Sequence, residues 1–159
     1  MSEFRTGVRV GVDVGKARIG VARCDPLGML ATPVETVARD ASGSADVARI
    51  VEIADEQNAL EIVVGLPLSL SGSSTASTDD AVLFAQRLAD AARRPVRLVD
   101  ERLSTVTAHS AMRDNGRSQK RSRKIIDQVA AVIILQHAID TEKSTSAPPG
   151  TRVTTTPES

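Results

Sequence analysis

An α/β fold, with a mixed five-stranded sheet flanked by helices, is what this sequence predicts. Three observations lead there. Valines alternate strictly with other residues through 7–14, the period-two pattern of a strand. Two later segments, EIVVGLP (61–67) and VRLVDE (96–101), are short apolar runs of the kind found in strands covered on both faces. Helical apolar patterns lie between and after them. The order read along the chain is β-β-β-α-β-α-β-α, an antiparallel meander followed by alternating helix and strand.

Each element has its own signal. In GVRVGVDV, Val8, Val10, Val12 and Val14 share one face, and Arg9, Gly11 and Asp13 the other. Gly15 and Gly20 bracket a tight turn into a second strand, IGVARC, so the two form a hairpin. PVETV (33–37) reads as a third strand. Residues 44–58 place Val47, Ile50, Val51 and Ala54 on one helical face behind a Ser-Gly-Ser start. After the strand 61–67 comes a Ser/Gly-rich loop, 69–74. A helix over about 75–92 follows, with Ala81, Val82, Phe84, Ala85 and Leu88, and Pro95 stops it. Residues 103–112 are weakly helical, 113–121 form a polar basic loop around Asn115-Gly116, and the last helix spans about 122–139.

The chain of 159 residues is enough for one domain and its core, assigned to 1–140. The remainder, 141–159, has 13 Thr, Ser, Pro or Gly residues and only Ala147 and Val153 as apolar groups, so it is expected to be a disordered tail. The N-terminus lacks a signal-peptide core, and no apolar run approaches the roughly 20 residues of a membrane span. One cysteine, Cys24, excludes an internal disulfide framework and a cysteine-based zinc site. A cytoplasmic protein without membrane attachment is the expectation.

Aromatic residues are 1% of the chain, only Phe4 and Phe84, which disfavours nucleic-acid modules that stack bases on aromatic platforms. Net charge is zero but unevenly spread. From Arg113 to Lys124, six basic residues (Arg113, Arg117, Lys120, Arg121, Arg123, Lys124) face one acid, Asp114, a local net of +5. Such a stretch can meet a polyanion even in a balanced protein.

Three acidic positions sit where structure alone disfavours a charge. Asp13 interrupts a valine-rich strand. Asp100 and Glu101 end another. Asp127 lies in RKIIDQVAAVIILQHAI, a helix apolar nearly all round, with Ala130, Ala131 and Ile134 on its own face. A buried carboxylate costs several kcal/mol unless compensated, and a divalent cation shared among carboxylates compensates it with the oxygen ligands Mg²⁺ prefers. The competing readings are structural. Asp13 can accept backbone hydrogen bonds in the turn, Asp100 and Glu101 can pair with Arg102 or Arg97, and Asp127 can cap its helix. The functional reading gains because all three occur together in a sheet order able to bring them to one end.

Other motifs carry less. Gly11-Val-Asp-Val-Gly15-Lys16-Ala17 is one residue short of a P-loop and lies in a hairpin. His109 and His137 are solitary, and Ser69, Ser71, Ser104 and Thr105 lack a His/Asp pattern. Cys24 reads as a small buried hydrophobe.

Four blocks, Asp13-Val-Gly15-Lys16-Ala-Arg18-Ile-Gly20-Val-Ala22, Gly65-Leu-Pro67-Leu-Ser-Leu-Ser-Gly72, Asp100-Glu101-Arg102-Leu-Ser-Thr105 and Lys124-Ile-Ile-Asp127-Gln-Val-Ala130-Ala131, resemble in order those of the YqgF/RuvX family, over residues 7–139. Two departures are Ser71, where Asn or Asp often precedes the loop glycine, and Ala17, where many members carry Lys or Arg. The resemblance implies a ribonuclease H-like fold and a metal-dependent endonuclease of structured nucleic acid. Processing of the 5′ end of pre-16S rRNA in ribosome biogenesis is the first expectation. Resolution of Holliday junctions in recombination, by a homodimer, is the alternative. Carried over by position, the catalytic and metal-binding residues are Asp13, Glu101 and Asp127, with Glu101 preferred over Asp100 because it is the glutamate of the matching Asp-Glu-Arg block; strand alternation turns the two to opposite faces, so only one points into the site. The implied cofactor is Mg²⁺ or Mn²⁺ in a two-metal site, with ions about 4 Å apart. Nucleic acid would be gripped by Lys16, Arg18, Arg102, Arg117, Lys120, Arg121, Arg123 and Lys124. Two other classes compete: an actin- or sugar-kinase-type ATPase, which needs two such domains and is disfavoured by 159 residues, and a non-catalytic RNA- or ribosome-binding factor.

Overall fold

The computed structural model describes residues 4–69, 71–101 and 120–155. Strands β1 (Arg9–Val14), β2 (Arg18–Cys24) and β3 (Ala31–Ala38) come first, then α1 (Ala45–Glu56), β4 (Glu61–Leu66), α2 (Ala76–Ala92), β5 (Val96–Asp100), α3 (Lys120–Thr145) and β6 (Thr151–Arg152). They build one mixed sheet in the order β3-β2-β1-β4-β5-β6. The β1–β2 and β2–β3 pairs are antiparallel, β1–β4 and β4–β5 parallel, and β5–β6 antiparallel. The first chain segment is therefore a central strand, as its valine content demands.

The alternation in β1 divides the molecule into two cores. Val10 and Val12 point to one side, where they join Ile19, Val21, Ile62 and Val64 under α1 and α2 through Ile50, Ile53, Phe84 and Leu88. The opposite side carries Ala22, Cys24, Val63 and Val99 under α3, which contributes Ala130, Ala131, Ile134, Leu135, Ala138 and Ile139. Among the described residues, α1 and α2 thus cover one face and the long α3 the other. Helix α2 starts at Thr75, whose hydroxyl accepts from the Thr78 N–H while Thr78 reciprocates, a capping box. The register of β2–β3 shifts between Val21 and Ala22, next to Pro33 on the edge strand, where a missing N–H is tolerated.

The chain beyond residue 140 is a correction. Expected as a disordered tail outside domain 1–140, residues 141–145 instead continue α3, and Thr151–Arg152 form a sixth strand paired to Leu98 and Arg97. The sheet has six strands rather than five. Composition misjudged this segment because its anchoring is polar. Glu142, 2% exposed, takes hydrogen bonds from Arg5 and from the equally buried Arg9 (Arg9 Nη2 at 3.1 Å, Arg5 Nη2 at 2.7 Å). Arg5 also reaches the buried Glu61, which Arg97 holds from the other side at 3.1 Å. Val153 adds a backbone hydrogen bond to Val96 and packs on the core. The expected weak helix at 103–112 lies outside the described residues, as do positions 113–119 of the basic loop. Lys120 and Arg121, read as loop, already belong to α3.

Candidate active site

The sequence puts Asp13 on the α3 side of β1, between two strands that each present a glycine beside it. Asp13 pairs with Gly20 of β2, and β4 aligns Val12 with Val64, so Gly65 follows next to Asp13. A side chain at either glycine would displace what lies above it. A Cβ on Gly20 would lie 1.9 Å from the Asp127 backbone oxygen, so α3 rests directly on the β2 backbone there. A Cβ on Gly65 would lie 2.3 Å from Glu101 Oε1 and 2.6 Å from the Ile134 methyl, so the Glu101 carboxylate occupies the space above β4. Two side chains are omitted so that two carboxylate-bearing segments can descend onto the strands flanking a third carboxylate.

Asp13, Glu101 and Asp127 thereby share the face covered by α3, where parallel strands β1, β4 and β5 end. This is the position at which open α/β sheets place ligands. Asp13 is 6% exposed and Asp127 3%, while Glu101, one residue past β5, is half-buried. Asp127 lies in the second turn of α3, which begins at Lys120, so it does not cap the helix. Arg97 pairs with Glu61 rather than serving Asp100 or Glu101.

Arg18 completes the cluster. It is the first residue of β2, and its Nε–H donates to Asp127 Oδ2 at 2.9 Å. The turn beneath it is fixed: Gly15 N–H donates to the Arg18 carbonyl at 2.9 Å, and Arg39 Nη1 to the Gly15 carbonyl at 2.8 Å. Arg39 also forks onto Asp80 of α2 at 2.8 and 2.9 Å. Its hydrogen bonds hold the Asp80 carboxyl below the ordinary range, with a smaller contribution from the charge of Lys16. Lys16 is exposed at the hairpin tip. In the neighbouring loop, the Ser69, Ser71 and Ser73 hydroxyls are engaged with one another at 2.9 and 3.1 Å.

Of the other expected nucleic-acid contacts, Arg102 and Arg117 lie outside the described residues. Lys120, Arg121, Arg123 and Lys124 occupy the first turns of α3, and their side chains lie outside them too. Cys24 is a buried free thiol, raised in pKa by its burial, at the far end of β2 from Gly20. Sequence reasoning missed the Arg39–Asp80 tie, which joins residues 41 apart with no local pattern. It also missed the Arg5, Arg9, Glu61 and Glu142 cluster, although Arg9 shares the inward face of Asp13.

Among the described residues, no three His, Cys, Asp or Glu side chains converge to metal-ligating distance. The donor set nevertheless fits a hard divalent cation in chemistry and place. It consists of carboxylates, without thiolate or imidazole, and two of them are deeply buried charges that require compensation.

Comparisons with known proteins place the chain in a family and a fold. A family model described as RuvX, Holliday junction resolvase, matches residues 7–141. A protein of Clavibacter sepedonicus named "Putative pre-16S rRNA nuclease" is 64% identical over 94% of this chain and 93% of its own length. A protein of the same name from Leifsonia xyli subsp. xyli is 60% identical over 92% and 94%. Among solved structures, T. thermophilus RuvC in complex with a Holliday junction substrate superposes with a TM-score of 0.54 at 19% identity, covering 89% of this chain and 98% of that one. The fold is ribonuclease H-like.

Proposed function

The chain belongs to the RuvX family, and from that premise we propose that it is a divalent-metal-dependent endonuclease processing the 5′ end of pre-16S rRNA in the cytoplasm. The observation that carries the reading is that Asp13, Glu101 and Asp127 share one sheet face, with the backbone of Asp127 resting on Gly20 and the Glu101 carboxylate over Gly65. These three carboxylates would hold Mg²⁺ or Mn²⁺. Such an ion, when bound, supplies an activated water and stabilisation of the leaving oxygen of the phosphodiester.

The chain's own residues do the rest. Asp13, fixed in the central strand, sets the position of the site against a rigid sheet. Glu101 and Asp127 approach it from a strand end and a helix, so the carboxylates come from three separate elements. Lys16 and Arg18, in the hairpin turn, offer positive charge to phosphates beside them. The basic residues Arg113 to Lys124 stand immediately before and at the start of α3 and grip the flanking backbone. With two aromatic residues in the chain, recognition rests on charge and shape, so affinity falls steeply with salt.

A four-way DNA junction is the second reading, favoured by the description of the family model. It requires a homodimer that presents two sites. Cleavage assays with Mg²⁺ or Mn²⁺ on a 5′-extended 16S precursor and on a four-way junction decide between them. Cutting of the precursor by wild type and not by Asp127→Asn is expected. Cutting of the junction alone transfers the function to recombination. Preserved biological function in Asp13→Asn would refute the catalytic reading and favour a non-catalytic RNA-binding factor.

A further inference from the structure

Arg18 is poised to act on two groups at once. Its Nε–H holds Asp127 Oδ2 at 2.9 Å. Among the described residues its two terminal amino groups make no hydrogen bond, and 27% of the side chain remains exposed. Its backbone is among the better fixed points of the site, since the Gly15–Arg18 turn is closed by a hydrogen bond and braced by Arg39 to Asp80. A planar guanidinium with one edge on a carboxylate and its terminal N–H groups facing outward has the geometry to receive a phosphate oxygen. Partners that orient a ligating carboxylate govern metal affinity as well as catalysis.

We propose that Arg18 is a positioning residue that couples phosphate binding to the setting of Asp127: Nε fixes the carboxylate, and the terminal amines take an oxygen of the substrate backbone. The inference rests on the nuclease reading above and assigns Arg18 more than a phosphate contact. A phosphate contact alone needs only charge. A bridge needs the fork, which lysine lacks. Lysine at this position has all three donors on one nitrogen, so it keeps the charge but not the spacing that sets the carboxylate and the phosphate on separate nitrogens.

The test is Arg18→Lys, which preserves charge. Three quantities are measured: Mn²⁺ binding to the free protein by electron paramagnetic resonance, affinity for a fluorescein-labelled RNA hairpin with a 5′ single-stranded extension in EDTA, and single-turnover cleavage. The expected result is Mn²⁺ binding weakened about 10-fold or more, the scale of losing an outer-shell partner, with RNA affinity within roughly 3-fold of wild type by retention of charge. The cleavage rate falls while KM is little changed. The combined variant Arg18→Lys/Asp127→Asn binds Mn²⁺ no more weakly than Asp127→Asn alone, because the bridge is already broken. Wild-type Mn²⁺ affinity in Arg18→Lys, with any defect confined to KM, overturns the bridge and leaves a simple phosphate contact. Additive losses in the combined variant overturn it as well. If the wild-type protein neither binds Mn²⁺ nor cuts RNA or junction DNA, the nuclease reading falls, and the bridge falls with it.

Discussion

Replacing Gly20 by alanine tests whether the contact between α3 and β2 builds the site. The added Cβ would stand 1.9 Å from the Asp127 carbonyl oxygen and 2.4 Å from its carbon. An ordinary carbon–oxygen contact is about 3.3 Å, so the helix must rise from the sheet by roughly 1.4 Å. The obstacle is backbone on both sides, and no rotamer change relieves it. Overpacking costs about 1–3 kcal/mol. This case belongs at about 3 kcal/mol, because lifting α3 also loosens Ala130, Ala131, Ile134 and Leu135 from the second core. For a domain of this size, that lowers Tm by about 6–12 °C. The lift also displaces Asp127, and a 1 Å misplacement costs on the order of 100-fold in rate. Gly65→Ala is the contrast. Its Cβ meets the carboxylate of Glu101 and a methyl of Ile134, both ends of flexible side chains. It should cost about 1 kcal/mol in stability while removing Glu101 from its place, so activity falls with little change in Tm. Thermal unfolding by circular dichroism, paired with cleavage on the same preparations, reads both. A Gly20→Ala protein melting within about 2 °C of wild type and cutting normally would refute the packing argument.

Asp127→Asn should abolish metal-dependent cutting, by more than the roughly 100-fold that losing an outer-shell partner costs, in a protein whose circular dichroism spectrum is unchanged. Glu142→Gln leaves Arg9 buried without its charged partner and should destabilise by about 3–5 kcal/mol, measured by urea unfolding. Burial raises the Glu142 carboxyl, but the hydrogen bonds and charges of Arg5 and Arg9 outweigh it, so the net shift is downward from 4.5. Its contribution is therefore fully present above about pH 4.5 and is lost as the pH falls below that value toward the folded pKa. Wild type should lose stability more steeply than Glu142→Gln in that window, and parallel pH curves for the two would contradict the assignment. Ending the chain at residue 140 removes Glu142 and β6 together and should destabilise more than Glu142→Gln alone. Equal unfolding midpoints would show that β6 contributes nothing.

Much of this arrangement is legible before any coordinates. Asp13 announces itself by breaking the valine alternation, and Asp127 by its place in an apolar helix, because a charge amid apolar neighbours needs a reason. The choice of Glu101 over Asp100 comes from the family block it matches, with strand alternation adding only that one of the two points inward, and the Glu101 carboxylate lies over Gly65 on the α3 side. What fails is the region past residue 140. Its stability comes from ion pairs to Arg5 and Arg9, more than 130 residues away, and from backbone hydrogen bonds at a sheet edge. Neither leaves a local compositional trace. The glycines at 20 and 65 were visible as turn and loop signals, but their use as clearance for other segments depends on a register that only the sheet supplies.

The placement of β1 and α3 sets the order in which this protein can come into being. The central strand is made well before the helix that covers its other face. Until that helix emerges, the Asp13 side of the sheet lacks the cover of α3, and Arg9 lacks the carboxylate of Glu142. Asp13 and Asp127 are 114 residues apart in synthesis. At about 5–20 residues per second, roughly 6–23 s separate the two. The N-terminal hairpin and α1 and α2 can settle on their own side in that interval. The face that Asp13 shares with Asp127 cannot, because the helix carrying Asp127 has yet to be made.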